Sequence, residues 1–330
     1  MMKQLAALLL CGLLAGSTAG NAQSRSVKPP MQKNLRNYFH ARAIDSSTVF
    51  LVGRPSVALL TTDGGSAWKK LSLPDSAHEL YGVDFYNRST GIIVGQKGCA
   101  YRTTDGGIHW RSSKTGQKTN LVAVKFITQK LVLAAGFGGI ILRSTDGGIR
   151  WETRESGVRD ALWTVSFGSP TDILITGGSG TILLSSDAGV SWKKTDVRLS
   201  DFFYSATMRD KQTGWIGGGY GAVLKTTDGG KSWTKQHVKP DLESFISADF
   251  HYDVCFLDTL SGWFCGSSGT ILKTTDGGKS YVNLKPPVVT TFFTVQFATP
   301  LTGWVAGATG TILKTTDGGT TWIDQSGSAE

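Results

Sequence analysis

Three recurrences predict an all-β chain folded as a seven-bladed β-propeller of four-stranded antiparallel blades. A TTDGG-type motif returns seven times at a nearly fixed period. A pair of glycines returns at fixed distances ahead of it. An apolar alternation returns ahead of those glycines. The motif copies are TTDGGSAW, TTDGGIHW, STDGGIRW, SSDAGVSW, TTDGGKSW, TTDGGKSY and TTDGGTTW, centred on Asp63, Asp105, Asp146, Asp187, Asp228, Asp276 and Asp317. Their spacings are 42, 41, 41, 41, 48 and 41 residues, the period of a unit that stacks on its neighbours to bury a shared core. Seven units fill residues 37–325 and leave no room for a second domain, with 326–330 as a C-terminal tail.

Each unit reads as four short strands. Ten residues before every motif aspartate stands glycine (Gly53, Gly95, Gly136, Gly177, Gly218, Gly266, Gly307), and seven before stands glycine in six units, Ser56 being the exception. G-x-x-G between two apolar runs predicts a tight hairpin, for which glycine supplies positive φ. Twenty residues before lies Phe85, Phe126, Phe167, Met208, Phe256 or Phe297, with Ala43 in the first unit. Two before that lies Val or Ala, and two before that an aromatic in six units of seven. This period of two predicts an inner strand with one buried face. The motif itself joins the third and fourth strands. Its aspartate accepts backbone N–H groups just ahead while its glycines permit the turn. The aromatic that follows (Trp68, Trp110, Trp151, Trp192, Trp233, Tyr281 or Trp322) is placed to pack between blades. Seven copies of one device point to architecture, since a catalytic group is needed once.

The N-terminus, MMKQLAALLLCGLLAGSTAGNA, has a lysine, a short apolar run and a small-residue end. It reads as a signal peptide of residues 1–22, followed by a polar tail or linker, 23–36. Leu10 before Cys11 argues against lipid attachment. The expected location is exported: periplasm, a lumen-like compartment or the extracellular space. Net charge is +9 in a chain of 330 residues, but the cations are dispersed, with no basic run of the kind nucleic-acid binding uses. The five histidines show no paired spacing and no Cys-x-x-Cys occurs, so no metal or cofactor is expected.

Candidate site residues fall into four groups. Among the hairpin tips GRPS, GQKG, GFGG, GGSG, GGYG, GSSG and GATG, four side chains stand out as a partner-binding face: Arg54, Lys97, Phe137 and Tyr220. The alternative is that hairpin tips tolerate any residue. Asp160, Asp201 and Asp249 recur 27 residues before their motif aspartates, an acidic set that a glycosidase could use or that merely organises turns. Arg102, Arg143, Lys225, Lys273 and Lys314 each precede the TT or ST pair, either as a partial ring of charge or as solvated strand ends. Cys255 and Cys265 flank DTLSG, and if this closes the hairpin they face one another within disulfide reach. The 48-residue spacing adds seven residues to blade six, within QHVKPDLESFISADFHY, either a marker of the binding rim or neutral drift. No leftover strand is evident to close the ring, so either the 23–36 tail contributes one or side-chain packing seals the seam.

The form GW-(V/I)-G-x-x-G-(T/A)-(I/V)-L-K-T-T-D-G-G-x-(S/T)-W of units five and seven resembles the Asp-box, or bacterial neuraminidase, repeats of the photosystem II stability and assembly factor propellers. That resemblance implies an exported, non-enzymatic, monomeric scaffold that binds a protein, a membrane protein or its assembly intermediate. A basic surface suits it. Asp boxes also occur in sialidases and xyloglucanases, which leaves two alternatives: a carbohydrate-active hydrolase, and a glycan- or surface-binding module without catalysis. Sialidases need converging arginines, and no local cluster of them is present. Xyloglucanase-like enzymes are expected to pair two such propellers, whereas this chain has length for one.

Overall fold

The computed structural model describes residues 36–75, 78–197, 199, 201–236 and 250–329. The expected signal peptide, the 23–36 tail apart from Arg36, most of the blade-six insertion and Asp249 lie outside the described residues. The chain forms seven four-stranded antiparallel sheets, each in simple sequence order. Blade 1, for example, runs Asn37–Ala43, Val49–Arg54, Val57–Thr61 and Lys69–Lys70 from the inside outwards. The innermost strands contact one another in succession, and that of blade 7 returns to that of blade 1, so they enclose a central channel.

Burial follows from this radial order. The second strands of blades 2 to 7, such as Gly91–Gly95, Val132–Gly136 and Gly262–Gly266, are buried at every position because neighbouring blades cover both faces, and that of blade 1 is buried up to Arg54. Their sequences are accordingly continuous apolar runs. The two- or three-residue outermost strands are largely exposed and rich in Lys and Arg, which discourages edge pairing with other chains. The hydrophobic core is therefore seven wedges, each shared by consecutive blades. One joins Phe50, Val52 and Ala58 of blade 1 to Phe85, Ile93 and Trp110 of blade 2; another joins Trp263 and Ile271 of blade 6 to Phe292, Phe297 and Trp322 of blade 7. Ring on ring, Trp215 stacks on Phe256 and Trp263 on Phe297, both at 3.7 Å, and Phe50 on Phe85 at 3.9 Å. A fully buried tryptophan removes about 150–250 Å² from water, worth about 4–6 kcal/mol as an upper bound.

The Asp boxes have the expected construction. In blade 1 the Thr61 hydroxyl donates to Asp63 Oδ1 at 2.8 Å and accepts Gly65 N–H at 2.7 Å, while Asp63 Oδ1 accepts Ala67 N–H at 3.0 Å. The same three bonds recur in the other six boxes. Each box is also tied to the loop between its blade's first two strands, as by Gly64 N–H to Ser47 O and Gly318 N–H to Leu301 O. Boxes and these loops thus form one rim, and the G-x-x-G turns the other.

Among the described residues no blade is shared between the two ends of the ring. The seam is closed by side-chain packing of Trp304, Ala306 and Ile312 of blade 7 on Tyr38, Leu51, Leu59 and Trp68 of blade 1. The C-terminal tail adds a latch. Ser328 O accepts Trp68 N–H at 3.1 Å, the Ser328 hydroxyl donates to Gly65 O at 3.1 Å, and Arg36 donates to Ala329 O at 2.7 Å. The tail is thus part of the fold rather than an appendage.

The boxes carry an acid dependence. Hydrogen bonds led by the hydroxyls of Ser191, Ser280 and Thr321 hold Asp187, Asp276 and Asp317 at about 2, and bonds led by His109 N–H do the same for Asp105. A carboxyl held below its unfolded value of about 3.9 stabilises the fold fully above that value and loses the contribution as pH falls towards about 2. The melting temperature should hold from pH 7 to about pH 5 and drop steeply between pH 4 and 2. A melting temperature as high at pH 2 as at pH 5 would contradict this role for the boxes.

Candidate functional site

Every innermost strand carries a one-residue register shift near its start, a β-bulge. The cause lies in the neighbouring strand. A Cβ on Gly53, Gly95, Gly136 or Gly307 would come within about 2 Å of the carbonyl oxygen of Asn37, Glu79, Asn120 or Thr291, so only glycine lets the inner strand approach there. This corrects the expectation that positive φ explains these glycines. The glycines three residues on do have positive φ, +72° at Gly98 and +74° at Gly139, and so does the residue before them in each of blades 2 to 7. Lys97 and Tyr220, at +54° and +53°, thus occupy left-handed positions that bulky side chains rarely take.

The bulge moves an aromatic out of the core. The residues within it are Phe39, Tyr81, Val122, Trp163, Tyr204, Tyr252 and Phe293, and all seven are half-buried. The fully buried residues are those one position earlier, including Tyr38, Leu80, Phe203 and Phe292. The expected alternation therefore breaks at the aromatic, which belongs to the channel mouth instead. There the rings touch in sequence: Trp163 to Tyr204 at 5.9 Å, Tyr204 to Tyr252 at 5.1 Å and Tyr252 to Phe293 at 5.4 Å. Phe293 then meets Phe39 at 5.6 Å, and Phe39 meets Tyr81 at 5.7 Å. Val122 interrupts the circle.

A second tier sits on this collar. Phe137 meets Trp163 edge-on at 5.5 Å, Phe202 stacks on Tyr204 at 6.0 Å, and Phe250 lies between Tyr252 and Tyr220, 5.8 Å from the latter ring. The Arg54 guanidinium lies 5.9 Å over the Phe39 ring. Three of the four predicted rim residues (Arg54, Phe137 and Tyr220) therefore join one surface. Lys97 is exposed on the same rim, with its N–H held by Asn120 Oδ1 at 2.9 Å. Phe202, Phe250 and the collar itself were not anticipated as site residues, although the recurrent aromatic was their signal.

Below the collar the channel is polar. Asp84 faces Arg42 Nε at 3.1 Å and Lys125 Nζ at 3.4 Å, and accepts Phe126 N–H at 2.8 Å. Despite its burial, these cations and the N–H hold Asp84 below the usual carboxylate range. Burial pushes the Lys125 ammonium and the His40 imidazole below their ordinary values. Asp253 accepts four bonds, from Ser205 Oγ, Val254 N–H, Thr294 Oγ1 and Val295 N–H, at 2.9–3.0 Å.

The remaining candidates have structural duties. Arg102, Arg143, Lys225 and Lys273 donate at 2.8–2.9 Å to Gly147, Ala188, Gly277 and Gly318 carbonyls in the next blade's Asp box. Lys314 Nζ lies against Gly64, 2.7 Å from where a Cβ there would stand. They are latches between blades rather than a free ring of charge. Asp160 accepts the Thr181 hydroxyl at 2.9 Å and Asp201 O accepts Gly180 N–H at 2.7 Å, so both organise the blade-four turn. The predicted disulfide is not formed. The hairpin turns through Leu257–Ser261, one residue earlier than assumed, which pairs Cys255 with Trp263 and Cys265 with Asp253 and removes the assumed opposition; both thiols are free. Among the described residues no group of three His, Cys, Asp or Glu side chains is placed to hold a metal.

Residues 74–156, spanning blades 2 and 3, match the sequence model of the photosynthesis system II assembly factor YCF48 family. Blades 2 and 3 are thus similar to the photosystem II assembly factor propellers. A solved structure described as YCF48 bound to D1 peptide superimposes with TM-score 0.70 at 19% identity, covering 86% of this chain and 94% of that one. YCF48 from Cyanidioschyzon merolae superimposes with TM-score 0.68 at 19% identity, covering 87% and 97%. The GH74 xyloglucanase from Xanthomonas campestris gives TM-score 0.72 at 12% identity, and the match spans 89% of this chain but 55% of that chain. At these identities the superpositions establish the propeller alone. No curated protein matches the sequence significantly.

Tyr220 separates stability from site. It is 61% exposed, and its left-handed backbone disfavours a side chain by about 1–2 kcal/mol. Replacing it with glycine relieves that cost and loses a ring contact worth about 0.5–1.5 kcal/mol. In urea unfolding the Tyr220→Gly variant should match the parent or exceed it by about 1 kcal/mol. A loss above 2 kcal/mol would make the ring structural.

Proposed function

We propose that the protein is an exported, non-enzymatic scaffold whose G-x-x-G rim binds a protein partner at or near a membrane. The aromatic collar with its Arg54 flank carries the reading. Half-exposed Tyr, Trp and Phe rings fixed on a rigid sheet offer large contact area at low entropic cost, as binding hot spots do. Their rigidity comes from the inner strands, so little order must be imposed on binding. The similar propeller solved with a D1 peptide supports a protein ligand. The leader-like N-terminus supports export, and export brings the chain to a membrane face. Against hydrolysis, Asp160 is committed to Thr181 and Asp201 shapes a turn through its carbonyl.

Affinity capture from the native cell envelope tests this proposal. Tagged parent protein would run beside a variant with Arg54, Phe137, Phe202 and Tyr220 changed to alanine, whose melting temperature is first shown to be near that of the parent. The expected result is a membrane-associated protein retained by the parent and reduced at least tenfold with the variant. Equal retention by both, or cleavage of a glycan by the parent, would overturn the proposal.

A further inference from the structure

The channel below the collar holds donors in excess of acceptors. Asp253 has no oxygen lone pair to spare, since four donors already occupy its two oxygens. Asp84 is only 3% exposed and is shared by two cations and a backbone N–H. The cations are less fully used. Lys125 Nζ meets one partner, at 3.4 Å, and keeps N–H groups to give. Arg42 meets Asp84 and, through Nη2, Phe85 O at 3.4 Å, yet its buried Nε makes no well-aligned bond. His40 Nδ1 is buried without a partner. Their side chains remain about one-third exposed, 33% for Arg42 and 29% for Lys125.

These groups address one volume. The His40 ring feels the charges of Asp253 on blade 6, Lys125 on blade 3, Asp84 on blade 2 and Arg42 on its own strand. Arg42 lies three residues beyond Phe39, so the cluster sits about 10 Å below the collar at the rise of an extended strand. Buried donors left over in a low-dielectric passage call for an acceptor, and a charged acceptor forms the stronger bonds.

We propose that the central channel binds one small oxyanion, a carboxylate or its phosphate equivalent, held by Arg42, Lys125 and His40. The ligand is either a free anion or the carboxylate end of a chain entering through the collar. The aromatic rings then shield the charge from bulk water, which strengthens the attraction. This site is independent of the rim interface and stands whether or not a protein docks there.

Isothermal titration of the full chain at constant ionic strength tests it, with acetate, phosphate, and a hexapeptide as free acid and as amide. Saturable one-to-one binding of acetate or phosphate identifies a free anion. Free-acid peptide binding at least tenfold tighter than its amide identifies a chain end. In either case Lys125→Met should weaken binding at least tenfold. Because that change also loosens Asp84, His40→Leu serves as a second variant: Nδ1 has no bond to lose and Leu puts no donor in its place, so folding should persist while affinity falls several-fold. No saturable binding by the parent, or unchanged affinity in the folded variants, would overturn the proposal.

Discussion

The structure depends on one constraint: no blade can bury its own faces. A four-stranded sheet with a completely apolar second strand is stable here only because the next blade's inner strand covers it. The stacked pairs Trp215–Phe256 and Trp263–Phe297 are that dependence in its plainest form. The latches reinforce it, since Lys225 and Lys273 reach across the same seams to cap carbonyls of the following Asp box. Where the sequence has Leu184 in place of a cation, its side chain instead approaches Gly230 of the next box. Each seam is thus completed by apolar packing, and at most seams a charge-assisted bond is added.

Close packing of inner strands has a second consequence. Bringing each inner strand against a glycine of its neighbour forces a bulge, and the bulge displaces one side chain per blade towards the axis. Chemistry at the channel mouth is therefore set by the single residue occupying the bulge. Six aromatics and Val122 occupy it here. The same geometry lines the passage beneath with Arg42, Asp84, Lys125 and Asp253. Binding surface and fold arise from one device, and the collar inherits the rigidity of the ring.

Much of this was legible in the sequence because it repeats. The seven Asp boxes, the two glycine positions and the strand count are local signals reinforced by recurrence, and the blade boundaries followed. What recurrence could not convey was register. A bulge changes which residue faces the core without changing spacing, so Tyr204 and its counterparts read as buried strand positions. Turn closure was equally silent: a turn through Leu257–Ser261 rather than DTLSG puts Cys265 opposite Asp253 and not Cys255. Arg54, Phe137 and Tyr220 were identifiable because they break a small, polar pattern. Phe202 and Phe250 were not, because aromatics near strand starts are ordinary in this chain. The latches were also hidden: a lysine before TT looks solvated until the next blade's carbonyl is placed beside it.

The central claim is that the G-x-x-G rim, and not the Asp-box rim, meets the partner. A photo-crosslinking residue substituted for Tyr220 would be compared with one substituted for Ile108, which is 73% exposed beside an Asp box. Both proteins would be irradiated in the native envelope. The account predicts a discrete crosslinked protein from position 220 and none from position 108. A crosslink confined to position 108 would contradict it and move the binding face to the opposite end of the propeller.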